Sequence, residues 1–585
     1  MRMVLTVVVF AARGANLISN GAFEEGMEAW SMSLGEATVS VVEEEGRPAA
    51  ELAVPEHMPL AYPNLRQEFP AREGDIFCGE VEARRVEGIN GYGAYLSMEF
   101  YDDAGTRLGF SQSDAAEFDG VWTRLETRAQ APSQTASVRL LLLLNGHGKA
   151  RFRDAALTEL APPREKPLRG PVTIDVTERI ACESLIGFGF EDDGWFYNRE
   201  NAEHGVTEDD IALRERRIAW MAPDWVRMFF WYEDWCPSGD WSRFTFDSDN
   251  MRSHYRTLDL YQRLGAAVNV VGVEWGMRDV YRDPERAAWA IGELLEYLIR
   301  GKGYTCVRYW TLTNEPHLWF LQHSYPFDRY VEMHQLVRAE ILNRGLDIRI
   351  VGSDDTNGGW GWFQRCVADD RYFAAADLFA SHRYLSFLEQ DLAQDFFRKR
   401  LDLLATREPK KPFVVAEFGF HDHRSSVNRN PIMQTYPYAI WSAAFAIRGL
   451  NQGTAGFSIW CLHEKFYPGS NRMGYGLWDW KDNDWKPRPV YHVWSMFTRL
   501  TRAGDAVRSC QSSHPQAVEA VRVGDILFWV NRRDQPTTIR VAGMRIQAVR
   551  AMYESILTGD RESEESAKVA RGRFTAPPMS FGYAR

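Results

Sequence analysis

The chain has 585 residues, which at roughly 150 per domain rules out one compact unit and leaves room for about four domains. A composition of 45% hydrophobic and 25% charged residues excludes a disordered chain, a collagen and a coiled-coil rod. Lys and Arg number 68 against 80 Asp and Glu, a net charge of −12 with no basic patch, so a nucleic-acid partner is not expected.

The amino terminus, MRMVLTVVVFAARGA, carries a charge and then a short apolar run, as a secretory leader does. Arg13 stands where a small residue should precede cleavage, so a first β-strand fits equally and the compartment stays open. No other stretch approaches the ~18 apolar residues of a membrane helix, and no membrane partner is expected. Residues 16–160 read as short alternating runs such as AYLSMEFYDDAG and ASVRLLLLLNGHG, the pattern of a β-sandwich. Residues 161–171, APPREKPLRGP, hold four prolines and predict a semi-rigid linker. Few contacts are expected to cross such a linker, which makes the amino-terminal module separable.

Residues 172–497 alternate apolar runs with helical stretches such as TEDDIALRERRIAWM and DRYVEMHQLVRAEILNRG. The runs IGFGF, DWVRMFF, AAVNVVGVEW, VRYWTLTNE, IRIVGSD, DLFASHRY, KPFVVAEFGF and TAGFSIWCL are eight strands, the number of a (β/α)₈ TIM barrel. Asp283-Pro284 predicts a helix start, and Gly265 and Gly345 predict helix ends. Residues 498–585 return to strands, as in DILFWVNRRD, and predict a small carboxy-terminal β-sandwich. VTIDVTERI, just before the barrel, is expected to pair into it, because a lone strand cannot bury its face. The seven Cys form no CxxC pair and read as buried thiols.

In a parallel barrel the chemistry lies at the carboxyl ends of the strands, so the polar residues closing each run are the candidates. Strand four ends in Asn314-Glu315-Pro316 and strand seven in Glu417-Phe418-Gly419, two carboxylates at one mouth. Strand two adds Arg227, strand six His382 and Tyr384, and strand eight Trp460. Glu191 and Asp192 after strand one, and Glu274 after strand three, read either as hydroxyl-binding groups or as solvated loop charges. Trp231, Trp235, Trp275, Trp319, Trp360 and Trp362 fall at strand ends or in loops, where about half are expected to stack on substrate and the rest to pack. Each of the six strand-end residues from Arg227 to Trp460 has a use around one sugar ring.

Over roughly residues 185–495 this arrangement resembles glycoside hydrolase clan A, the retaining (β/α)₈ enzymes that include families five, thirty and thirty-nine. The resemblance implies that Glu315 is the general acid/base, beside Asn314, and Glu417 the nucleophile. Arg227, His382 with Tyr384, and Trp460 match the clan's strand-two Arg, strand-six His-x-Tyr and strand-eight Trp. The entry segment GFGFEDDGWFYN departs from the families' pattern. A retaining glycosidase needs one ionised carboxylate to attack the anomeric carbon and one protonated carboxyl, ~5–5.5 Å away, to assist the leaving oxygen. Arg227 and Tyr384 are therefore expected to hold Glu417 anionic, and Glu315 to have a raised pKa. Asn314 is expected to bond the sugar 2-hydroxyl and Trp460 to floor the subsite. Trp231, Trp275 and Glu191 are the further substrate-binding candidates.

The bland alternatives are a Glu315 favoured at a helix start, an Arg227 in a structural ion pair, and a His382 and Tyr384 that satisfy a buried network. His421-Asp422-His423 lacks a third spaced ligand, and no catalytic metal or cofactor is expected. The segment Asn16 to Glu24, then Trp30, Trp122 and FRDAAL (152–157), is similar to jelly-roll carbohydrate-binding modules of the family four, nine and twenty-two type. That resemblance implies a structural calcium near Glu24 and Asp154. The predicted protein is thus a retaining β-glycoside hydrolase, with a catalytically silent carbohydrate-binding protein as the alternative.

Overall fold

The computed structural model describes residues 14–59, 61–116, 120–161, 168–274, 280–318, 325–422, 424–467, 469, 471–561 and 564–585. Its centre is a closed barrel of eight parallel strands: Gly187–Glu191, Trp225–Trp231, Ala267–Val273, Val307–Thr311, Arg349–Asp355, Leu378–Ser386, Phe413–His421 and Gly456–Ile459. Each apolar run predicted as a strand is one. The first strand closes on the eighth, Phe188 opposite Phe457 and Phe190 opposite Ile459. Continuous Val and Phe runs suit strands with helices on one side and a packed interior on the other.

The helices start and stop where side chains satisfy their free backbone groups. Thr207 and Asp210 form a capping box on helix Glu208–Met221, and Ser248 caps Asp249–Leu264, which Gly265 ends at φ 74. Asp283 caps Pro284–Glu296, with proline in the first turn.

In the amino-terminal sandwich two long strands, Ile76–Tyr101 and Ser137–Leu160, pair antiparallel from end to end and bend through several register shifts. That bending lets them serve both faces around a core of Leu96, Met98, Leu140, Leu142 and Phe152. The carboxy-terminal sheet has nine strands, and Val172–Cys182 lies inside it between Val507–Ser512 and Thr537–Ala542. The strand ahead of the barrel thus finds the partners it needs, and the barrel proper begins at Gly187.

The expectation of few contacts between module and barrel fails. Arg383 on barrel strand six donates to both oxygens of Asp114 at 3.0 and 2.9 Å. Arg128 donates to both oxygens of Asp391 at 3.0 Å. Buried Glu389 accepts from Thr127 Oγ1 at 3.2 Å and from the Arg128 backbone N–H at 3.1 Å. A proline-rich link sets only the path of the chain between domains. Charged side chains far apart in sequence set whether they dock.

Candidate active site

Arg227 is the residue on which the site is assembled. Its guanidinium is wholly buried and offers a planar fork of donors. Nη1 donates to Glu191 Oε2 at 2.8 Å and Glu417 Oε1 at 2.5 Å, and Nη2 donates to Asn314 Oδ1 at 2.8 Å and Asp354 Oδ2 at 2.6 Å. Side chains from strands one, five and seven and from the end of strand four therefore meet on one group from strand two.

His382 is the second hub. Nε2 lies 3.2 Å from Asp354 Oδ1, while Nδ1 lies 3.1 Å from Glu315 Oε1 and 3.5 Å from Glu417 Oε2. Burial opposes a charge on the ring, but Glu417 and Asp354 overcome it and hold the pKa up at about 10. His382 is thus an imidazolium that donates from both nitrogens. Glu315, His382 and Glu417 each place an atom within 4.8 Å of the others. Tyr384 Oη donates to Glu417 Oε2 at 2.7 Å.

The shifts of the two carboxylates run opposite to the expectation. Burial drives Glu417 upward in spite of His382 and Arg227. At Glu315 burial acts the same way, but the His382 hydrogen bond and charge outweigh it and hold the carboxyl low. The cause is a His382 that Glu417 and Asp354 keep charged and that donates straight to Glu315. Burial also drives Glu191 upward against the pull of Arg227, whereas at Asp354 Arg227 outweighs burial and holds the carboxyl low. Two cations, Arg227 and His382, thus stand among the carboxyl groups of Glu191, Asp354, Glu315 and Glu417.

Backbone strain marks the same place. Glu315 sits at φ 48, Ser353 at φ 67 and Asp354 at φ 51, all in the left-handed region that non-glycine residues avoid. The Glu315 N–H donates to the Asp354 carbonyl at 3.2 Å, tying the ends of strands four and five.

The other candidates separate cleanly. Glu191 and Asp192 are wholly buried, Asp192 holding Arg214, Tyr261 and His463, so neither is a solvated loop charge. Glu274 accepts from the Thr313 hydroxyl, and burial pushes its pKa up to about 8. Trp460 packs against Phe229 at 5.7 Å, and half-buried Trp231 stacks on Tyr467 at 6.0 Å. Trp235 and Trp362 are core residues, while Trp275, Trp319 and His423 lie outside the described residues. Burial lowers the His421 pKa to about 4. The calcium expectation does not fit the side chains: Arg47 Nη2 engages both oxygens of Asp154, one at 2.5 Å.

Asp354 is the residue that sequence reasoning missed. It stands beside Asp355 at the end of strand five, and the only available signal was an acidic pair closing an apolar run.

No family model matches the chain, and no curated protein matches it. Solved structures do. SrfJ from Salmonella typhimurium superposes at a TM-score of 0.51 with 16% identity, over 73% of this chain and 95% of that one. A GH30 endoxylanase from Clostridium papyrosolvens C71 gives 0.50 and 12%, over 71% and 99%. A GH39 β-xylosidase from Caulobacter crescentus gives 0.50 and 15%, over 70% and 99%. The barrel fold is shared with these glycoside hydrolase structures. At these identities the likeness is one of architecture, and the chemistry has to be argued from the side chains.

Proposed function

We propose that the protein is a retaining β-glycoside hydrolase that works by double displacement, with Glu417 as nucleophile and Glu315 as acid/base. The observation that carries this reading is the pair itself. Carboxylates from strands four and seven meet at one mouth with oxygens within 4.8 Å, in keeping with the ~5–5.5 Å of retaining enzymes and short of the ~6.5–9.5 Å of inverting ones.

Glu417 attacks the anomeric carbon as the bond to the leaving oxygen breaks, and Glu315 gives that oxygen its proton. Water then gives a proton to Glu315 and its oxygen to the anomeric carbon, freeing Glu417. Arg227 and Tyr384 bear the returning charge on Glu417, Asn314 bonds the 2-hydroxyl, and Trp460 supplies an apolar floor. Before the first step a proton has to reside on Glu315. His382 Nδ1, at 3.1 Å from Glu315 and 3.5 Å from Glu417, provides the path: the ring gives its Nδ1 proton to one carboxylate and takes one from the other.

The test is a panel of aryl β-glycosides. The neighbours named as an endoxylanase and a β-xylosidase put β-xylosides first in it. Hydrolysis with retention in the first product by NMR supports the reading, and an inverted first product overturns it. Binding of oligosaccharides with no hydrolysis of any aryl glycoside would point to the silent carbohydrate-binding protein.

A further inference from the structure

The amino-terminal sandwich and the barrel line a half-open cavity of about 290 Å³ beside strands five and six and the helix Ala393–Leu404. The sandwich lines it with Asp114, Thr123 and Arg124, and the barrel with Thr356, Trp360 and Tyr384. Two of these barrel residues also touch the catalytic pair. Tyr384 Oη donates to Glu417 at 2.7 Å, and the Thr356 hydroxyl bonds Glu315. The cavity thus shares two of its lining residues with the surroundings of the carboxylates.

Its walls are fixed by polar contacts. Asn357 Nδ2 donates to the Tyr384 carbonyl at 2.6 Å, and its Oδ1 accepts from the Tyr384 N–H at 3.1 Å and from Arg383 Nη1 at 3.3 Å. The same Arg383 Nη1 is held by Asp114 of the sandwich. One arginine thus joins the sandwich to the strand that carries His382 and Tyr384. The volume is at the bottom of the roughly 300–1,000 Å³ of ligand cavities, a size for one monosaccharide unit. Half-buried Trp360, with the Arg400 guanidinium 5.5 Å from its ring centroid, stands among hydroxyl and charged groups, a mixture that suits the apolar faces and hydroxyl rim of a sugar.

We propose that this cavity is a sugar subsite of the active site, built jointly by the sandwich and the barrel, for a unit adjoining the bond that is cut. The proposal rests on the glycosidase reading. It makes the sandwich part of the catalytic cleft, in contrast to a detachable binding module.

The test uses the full chain with Thr123→Trp, which fills the cavity from the sandwich side, and Thr123→Ser as the conservative partner. Kinetics are measured on an aryl β-monoglycoside and on xylotriose and cellotriose. In Thr123→Trp the ratio of kcat/KM for trisaccharide over aryl glycoside falls at least about tenfold, and in Thr123→Ser it returns to the parent value. An unchanged ratio in a Thr123→Trp protein with the parent melting temperature overturns the subsite. So does a fall of both activities together. If the parent cleaves no glycoside, the glycosidase reading fails separately, and the same trisaccharides are titrated by calorimetry. Binding lost only in Thr123→Trp keeps the cavity as a sugar site, and equal or absent binding rejects it.

Discussion

Replacing Asp354 by Asn probes the arrangement that the site depends on. Asp354 has no exposed surface and bridges the two buried cations, Arg227 and His382. Held at about 10 against an ordinary 6.5, His382 contributes about 5 kcal/mol to folding. The sign follows from linkage. A histidine whose folded pKa is raised stabilises fully below its unfolded value near 6.5, and that stability is lost as pH climbs through about 10. Asn keeps one acceptor but no charge, so two buried cations face a deficit of one negative charge. The expected cost at neutral pH is about 3–5 kcal/mol, a large share of a typical folding free energy. The assay is urea unfolding at several pH values between about 6.5 and 10, with the His382 ring followed by NMR. In the variant the His382 pKa falls and the decline of stability across that window flattens. An unchanged slope together with an unchanged His382 titration would refute the charge balance described above.

Other outcomes are as specific. Glu417→Ala abolishes the glycosyl-enzyme, whereas Glu315→Ala still glycosylates from good leaving groups; azide rescues Glu315→Ala to a β-azide product and Glu417→Ala, where it rescues, to an α-azide, checked by NMR. Burial holds Glu389 up at about 7 against an ordinary 4.5, so stability falls by about 3 kcal/mol as pH rises from about 4.5 through 7. Glu389→Gln flattens that window in thermal melts, and persistence of the slope would place its cause elsewhere. Gly189→Ala directs a Cβ to within 1.5 Å of the Trp225 carbonyl oxygen and is expected to cost at least about 3 kcal/mol, measured by urea unfolding.

Much of the fold was legible because a parallel barrel writes its strands as apolar runs and its chemistry at their ends. Arg227, Glu315 and Glu417 stand where that rule puts them. Asp354 escaped because local backbone geometry decides which member of Asp354-Asp355 faces the mouth: the ladder to strand six shifts register between Ser353 and Asp355, and Ser353 and Asp354 are left-handed. The lowered pKa of Glu315 escaped for a related reason, since it depends on a His382 that Glu417 and Asp354 keep charged. Docking of the sandwich was illegible for a different reason. Arg383 and Asp114 are 269 residues apart, and nothing in either local sequence points to the other.

The strand Val172–Cys182 imposes an order on synthesis. Its antiparallel neighbour begins at Val507, opposite Cys182, so it leaves the ribosome long before a partner exists. At about 5–20 residues per second that wait lasts roughly 15–65 s. Through all of it a strand that ends up inside a sheet has both edges open, an exposure that favours pairing with other chains. Expression at high rates is therefore expected to load chaperones with chains arrested at this stage, and a stop codon placed shortly before Val507 should yield aggregate in place of a shortened soluble protein.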